Sequence, residues 1–434
     1  MFRTLVNAFK NKDIRKKIFI TIGLLLIYRL GCWLPIPGIT TEWYTSGGGD
    51  TFLDLLSAIT GGALSNGAFL AIGISPYINS SIIVQLLSIA IPKLEEWSKQ
   101  GDEGRKKLAV VTRVLTLILA VAQSVGIVVS MSSNGIATTI YGVNMPLWLA
   151  STFVAIILIA GSMFTMWLGE RITDYGIGNG ISLLIFVGIL SSAGLAIIEI
   201  FRRIFAFDAE SQVAVWELIG FIVMVVAVFA FIVFVDGAER RIPIQYAKQI
   251  KGRKQYGGQS TNIPIKINAA GVLPIIFATA IITFPQLICS IFAPNSAFYG
   301  WWMNWLGSGT PIYFVLTGLL ILFFSYFYAQ IQFNPEDVAR NIQQYGGFIP
   351  GIRPGRPTSE YLSRISKRLT LFGAIFLAFI AIVPSIIFAI VLPTATLVNA
   401  FSATGLLIVV SVALEFDKQL ESQLMMKQYK GFLK

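Results

Sequence analysis

Ten apolar runs, each about as long as a bilayer is thick, constrain this chain more than any other feature. They read at residues 18–37, 67–91, 108–131, 146–168, 177–200, 213–235, 269–293, 311–333, 369–392 and 397–414. About 20 apolar residues in a helix cross a hydrocarbon core of ~30 Å. Lipid offers no partner to a backbone N–H or C=O, so each run is expected to be helical. Composition agrees, because 55% of the 434 residues are hydrophobic and only 13% are charged. A soluble chain would keep roughly a quarter of its residues charged. The expected fold class is an all-α multi-pass membrane protein with ten transmembrane helices.

Lysine and arginine set the orientation. The N-terminal tail carries six (Arg3, Lys10, Lys12, Arg15, Lys16, Lys17) and the C-terminal tail four. The loops after spans two, four, six and eight carry five, one, seven and six, against only Arg202 and Arg203 in all the loops on the other side. Both termini are therefore expected in the cytoplasm. The net charge of +11 reads as a topology signal rather than a nucleic-acid-binding surface, and basic loops also attract anionic lipids and acidic partners. Five spans per half is an odd number, so the second half enters the membrane in the opposite sense to the first. Parity thus predicts an inverted repeat with two pseudo-symmetric halves. Residues 1–200 form the N-terminal half, 201–212 an outer hinge loop, and 213–434 the C-terminal half.

The second run is apolar yet unsuited to lie passively in lipid. GAFLAIGISPYINSSIIVQLLSIAIP (67–92) holds Pro76, two glycines, Asn79, Ser80, Ser81 and Gln85. An unsatisfied polar group in hydrocarbon costs several kcal/mol, roughly, so such a span must face protein or a water-filled cavity. Just before it, TFLDLLSAITGGALSN (51–66) is helical in pattern until Gly61 and Gly62 break it. It is too short to cross a bilayer. From the residues alone an interfacial helix is favoured, with a mobile pore-blocking element as the alternative.

Two cytoplasmic loops are long, 236–268 and 334–368. In the first, IPIQYAKQI alternates like a strand, GRKQYGG supplies a glycine-flanked basic tip, and STNIPIKI returns, which predicts a protruding hairpin. In the second, the glycines and prolines of GGFIPGIRPGRPT predict a stiff, exposed, non-helical loop.

Several chemistries are missing. There is no GxxxxGK[ST] loop for nucleotide hydrolysis, and the chain has no histidine for a zinc helix or a Ser-His-Asp triad. Cys32 and Cys289 both fall in apolar runs and make neither a metal site nor a disulfide framework. GIGNG at 176–180 opens a membrane helix rather than following a strand, so its glycines serve a tight entry or a close helix contact. Asp54, Glu170, Glu199, Asp236 and Glu415 sit near span ends, and Arg29 is the one charge well inside an apolar run. A carboxylate relay for ion-coupled transport is therefore poorly supported. No enzyme, cofactor or metal is expected.

At this point several long motifs resemble one family. GAFLAIGISPYINSSIIVQLL, GERITDYGIGNGISLLIF, RRIPIQYAK with GRKQYGGQSTNIPIKIN, GFIPGIRPGRPT, LPIPGI and GGALS occur in order along the whole chain. They are similar to the SecY family, the pore-forming subunits of the bacterial Sec protein translocase. Asn262, Ile275 and Gln255 depart from the family's usual histidine, proline and apolar residue.

The resemblance implies a function and assigns residues. The chain would be the central pore of a protein-conducting channel in the bacterial plasma membrane. It would pass unfolded preproteins with signal sequences across, and release membrane helices sideways through a lateral gate between spans two and three and spans seven and eight. A ring of aliphatic side chains would narrow the pore: Ile74, Ile78, Ile181, Ile185, Ile276 and Ile408. The segment 51–66, with Leu55, Leu56, Ile59, Gly61 and Gly62, would be the plug that closes it. Asn79 and Phe284 match gate-lining positions, and Arg253, Lys254 and Arg353 match positions that dock the SecA ATPase or the ribosome. SecE-like and SecG-like membrane subunits would brace the halves. The competing class is an inverted-repeat secondary transporter of a small solute, which would need charged or coordinating groups at mid-membrane.

Overall fold

The structure is a computed structural model. It describes all residues except 1–5, 7, 40–56, 58–59, 132–134, 138, 141–142, 206–210, 247–248, 252–253, 257–259, 269–270, 293–295, 308–309, 392–402 and 433–434. The chain is mostly helical, and among the described residues each of the ten apolar runs overlaps a helix.

The chain divides into two compact units that interleave in sequence. One comprises Met1–Phe221, Ala280–Thr310 and Leu392–Lys434, the other Ile222–Thr279 and Pro311–Val391.

In the first unit α1 spans Lys12–Gly31, with the Asn11 side chain accepting from the Asp13 N–H at 3.2 Å. That cap satisfies one of the helix's orphan donors. The second run divides. Residues up to Ile74 are not helical, and α2 (Ser75–Ala90) starts with Pro76 in its first turn. Pro76 therefore begins a helix instead of kinking one, since its ring presets φ and its missing N–H is not needed there. At the other end Ile91 is extended, as a residue before proline prefers, and α3 (Pro92–Lys99) leaves at 107° to α2. The helices α4 (Asp102–Met131), α5 (Leu147–Tyr175) and α6 (Gly180–Phe205) pack in series, with a two-residue-per-strand hairpin, β1 (Thr139–Ile140) and β2 (Val143–Asn144), between α4 and α5.

α7 (Ser211–Asp236) leads into the first long loop, which forms the predicted hairpin. Strand β3 (Glu239–Tyr246) pairs antiparallel with β6 (Ser260–Lys266), from Glu239 opposite Lys266 to Gln245 opposite Ser260. Beyond them β4 (Gln249–Lys251) and β5 (Lys254–Tyr256) pair as a smaller ribbon toward the tip. α8 (Leu273–Phe292), α9 (Ala297–Leu306) and α10 (Pro311–Gln332) follow, then α11 (Pro335–Gln344), β7 (Gly347–Phe348), α12 (Arg356–Val391) and α13 (Ala403–Phe432).

The two long loops make one module inside the second unit. β7 adds to β3 as a third strand, Tyr246 opposite Gly347. Ile242, Ile244, Ile265, Ala339, Ile342, Ile349 and Leu362 form its core. Burying each isoleucine away from water contributes about 1.5–3 kcal/mol. Elsewhere large apolar side chains point outward along the helices, Phe234 at 78% exposure and Phe323 at 62%. Faces of that kind suit lipid and would be an aggregation liability in water.

Among the described residues four stretches, Asp102–Val129, Leu147–Tyr175, Pro311–Gln344 and Arg356–Pro384, are long and apolar enough to cross a membrane by themselves, and a fifth if α2 and α3 count together.

Candidate functional site

The first unit gathers most of the expected aliphatic ring. Ile74 and Ile185 are buried at 1% and 6% exposure, and the half-buried Ile78, Ile181 and Ile408 pack against the same hydrophobic cluster. Three elements supply them: the N-terminal end of α2, the first turns of α6, and α13. Ile74 is the residue that caps α2, and its carbonyl accepts from the Ile78 N–H at 3.1 Å, so the pair keeps one face across the helix start. Ile276, half-buried on α8, belongs to the second unit.

GIGNG positions the α6 pair. Gly178 has φ +90°, a left-handed conformation that strains any residue with a Cβ. Asn179 Oδ1 accepts from the Ile181 N–H at 3.1 Å and its carbonyl from the Leu183 N–H at 3.0 Å, which starts α6 with an asparagine cap. Gly180 lies so close to the Gly169 carbonyl that a Cβ would overlap it, so α5 and α6 meet nearly backbone to backbone. A Cβ on Gly169 would lie 3.4 Å from Ile181 and 3.5 Å from Ile74, so both isoleucines converge on this glycine. The tight entry and the close helix contact expected of these glycines are both present.

Beside the cluster, residues 60–74 are packed inside the unit. Thr60, Ala63, Leu64, Ala68, Leu70, Ala71, Ile72 and Ile74 are each at most 1% exposed. LPIPGI holds this segment: the Ile36 N–H donates to Gly67 O and the Phe69 N–H to Leu34 O, both at 2.8 Å. The helical pattern ends at Gly61 and Gly62, with φ of +71° and +83°. Leu55, Leu56 and Ile59 of the expected plug lie outside the described residues.

The remaining expected residues are placed as follows. Asn79 is half-buried on α2, and α2 has no side-chain cap, so Asn79 does not cap the helix at Pro76. Phe284 lies on α8, whose backbone alone is described at that position. Lys254 opens β5 opposite Lys251, while Arg253 lies outside the described residues. Arg353 is exposed between Pro350 and Pro354. Its carbonyl accepts from Thr358 Oγ1 at 2.8 Å, and the neighbouring Ile349 and Ile352 join the module core, so its backbone is anchored on both sides.

Three polar contacts join residues whose pairing the sequence does not signal. Ser80 and Thr116 hydroxyls meet at 2.6 Å between α2 and α4, both fully buried. Arg113 on α4 pairs with Glu170 on α5. Arg29 on α1 reaches Thr60, Gly61 and Ser191. Each joins residues at least 31 apart in sequence. A lone arginine in an apolar run was the one visible hint.

Comparison with known proteins identifies the family and the fold. The SecY family model matches residues 68–416. The protein translocase subunit SecY of Bacillus licheniformis is 42% identical over 441 residues, covering 100% of both chains. A solved protein-conducting channel superposes with a TM-score of 0.63 at 21% identity, covering 94% of this chain and 92% of that one. Sec61 in a canine ribosome–channel complex from the endoplasmic reticulum superposes with a TM-score of 0.58 at 18% identity, covering 94% and 92%.

Proposed function

The chain belongs to the SecY family of protein translocase subunits, and from that premise we propose how its residues conduct a polypeptide. It is a multi-pass membrane protein and the pore subunit of a protein-conducting channel, not an enzyme. The reading at residue level rests on one observation: Ile74, Ile78, Ile181, Ile185 and Ile408 share a cluster that abuts the buried 60–74 segment. Branched aliphatic side chains offer a passing peptide no hydrogen bond that would hold it. They nevertheless pack around it and exclude water and ions. Ile276 is included in the ring on the family match alone.

In this reading residues 51–66 are the plug that occupies the closed pore, and Asn79 and Phe284 line the sideways exit for apolar helices. Residues 1–200 and 213–434 act as halves joined by the 201–212 hinge. Both termini are cytoplasmic in a bacterial plasma membrane, as the 29 basic residues on one side favour. Energy comes from outside the chain. The SecA ATPase or a translating ribosome docks on the cytoplasmic module through Arg253, Lys254 and Arg353, SecE-like and SecG-like subunits brace the helices, and anionic lipids contact the basic loops. The ribosome-bound state of the canine relative supports the ribosome as a partner class.

The test is reconstitution of the chain with its small subunits in proteoliposomes, with motor, ATP and a preprotein added. Protease-protected preprotein that requires both the chain and the motor is the expected result. Uptake of a small solute without preprotein transport would instead favour a secondary transporter.

A further inference from the structure

We propose that Arg29 is the latch that holds the plug in the closed channel, by clamping its Thr60–Gly61 turn to α6. The inference rests on the channel reading above and adds the residue that sets the closed state.

The geometry begins at the turn around Gly61. The Gly62 N–H donates to Ser57 O at 2.8 Å, and the intervening Gly61 has φ +71°. A six-to-one bond across a left-handed glycine makes a tight turn. The Thr60 and Gly61 carbonyls belong to this turn. Arg29 takes both: Nη1 donates to Thr60 O at 3.5 Å and Nη2 to Gly61 O at 3.2 Å. Nη2 also donates to Ser191 Oγ on α6. A Cβ on Gly61 would collide with the Arg29 guanidinium and come within 2.9 Å of the Gly188 carbonyl, so glycine is what permits the approach.

One planar cation therefore ties α1, the plug and α6 together. Arginine suits the task because its fork presents several donors at fixed angles. While the surrounding cluster is dry, moving the plug breaks these bonds and leaves a guanidinium facing apolar side chains, which is costly. Water that enters the opened pore hydrates the guanidinium, and the penalty disappears. The latch consequently favours two states, shut and dry or open and wet, over a half-open leak.

The experiment compares wild type, Arg29→Gln, Arg29→Lys and Ser191→Ala in proteoliposomes and planar bilayers. Two readouts are taken: resting ion conductance, and the ratio of export of a preprotein with a defective signal sequence to export of one with an intact signal. Arg29→Gln is expected to raise both by roughly tenfold, since it removes charge-assisted bonds to two carbonyls and a hydroxyl. Ser191→Ala should shift both in the same direction by less. Arg29→Lys should fall between, because it keeps the charge and loses the fork. A merely structural arginine would lower export of both preproteins together and leave the ratio unchanged. If wild type exports neither preprotein, the channel reading fails whatever the variants do. If wild type exports and is sealed, and Arg29→Gln is equally sealed and equally strict, the latch is refuted. Should Arg29→Gln not accumulate, a Ser191→Ala channel with wild-type conductance and ratio refutes it.

Discussion

Arg113 and Glu170 face each other across α4 and α5 in a two-pronged pair, Nε to Oε1 at 2.8 Å and Nη2 to Oε2 at 2.9 Å. The fork geometry fixes both helices in rotation as well as distance. The Arg113 side chain is 49% exposed, so screening limits the pair's contribution. Arg113→Glu should therefore destabilise the purified protein by about 1 kcal/mol, read from its thermal unfolding in detergent. The double variant Arg113→Glu with Glu170→Arg should recover most of the loss. Equal melting of single and double variants would show that the pair does not couple.

The aliphatic ring is best tested through its half-buried members. Truncating the buried Ile74 or Ile185 would also weaken the fold, by about 2–5 kcal/mol each. The triple variant Ile78→Ser, Ile181→Ser and Ile408→Ser should instead give a folded channel whose resting conductance rises roughly tenfold, because a wetter constriction loses its dewetting barrier. Unchanged conductance in planar bilayers would count heavily against the ring.

Gly161 on α5 tests the packing behind the plug. A Cβ there would overlap the backbone carbonyl of Phe69, and no rotamer change relieves that contact. Gly161→Ala should cost about 1–3 kcal/mol by overpacking. Displacement of the 60–74 segment should follow, measured as faster hydrogen exchange of the Phe69 amide, whose bond to Leu34 O is 2.8 Å long in the intact protein. Wild-type stability and exchange would mean the helix shifts to make room.

Arg353 stands exposed on a loop whose backbone is pinned by Thr358 and by the buried Ile349. Presenting its guanidinium thus carries little ordering cost. Arg353→Glu should weaken binding of the motor ATPase about tenfold or more and reduce preprotein export to match, with resting conductance unchanged. Normal binding and export would leave its charge as topology signal only.

Much of this protein is decided by local pattern. The apolar runs fall on helices because hydrocarbon forbids an unpaired backbone, whatever surrounds each run. The hairpin 239–266 follows from alternation around a glycine-flanked tip. Pro76 marks a helix start rather than a kink, a distinction that depends on whether the preceding residues are already helical. Contacts between distant residues carry no such pattern. Gly347 and Phe348 join β3 as a third strand because Ile342 and Ile349 bury their side chains in the core it shares. Five isoleucines become one cluster because Gly169 and Gly180 let α5 and α6 close backbone to backbone. Arg29 reads in sequence only as the one charge well inside an apolar run. The tertiary structure turns it inward, onto the Thr60 and Gly61 carbonyls and the Ser191 hydroxyl. Periodicity is a property of neighbours along the chain, and these partners meet only after the helices pack.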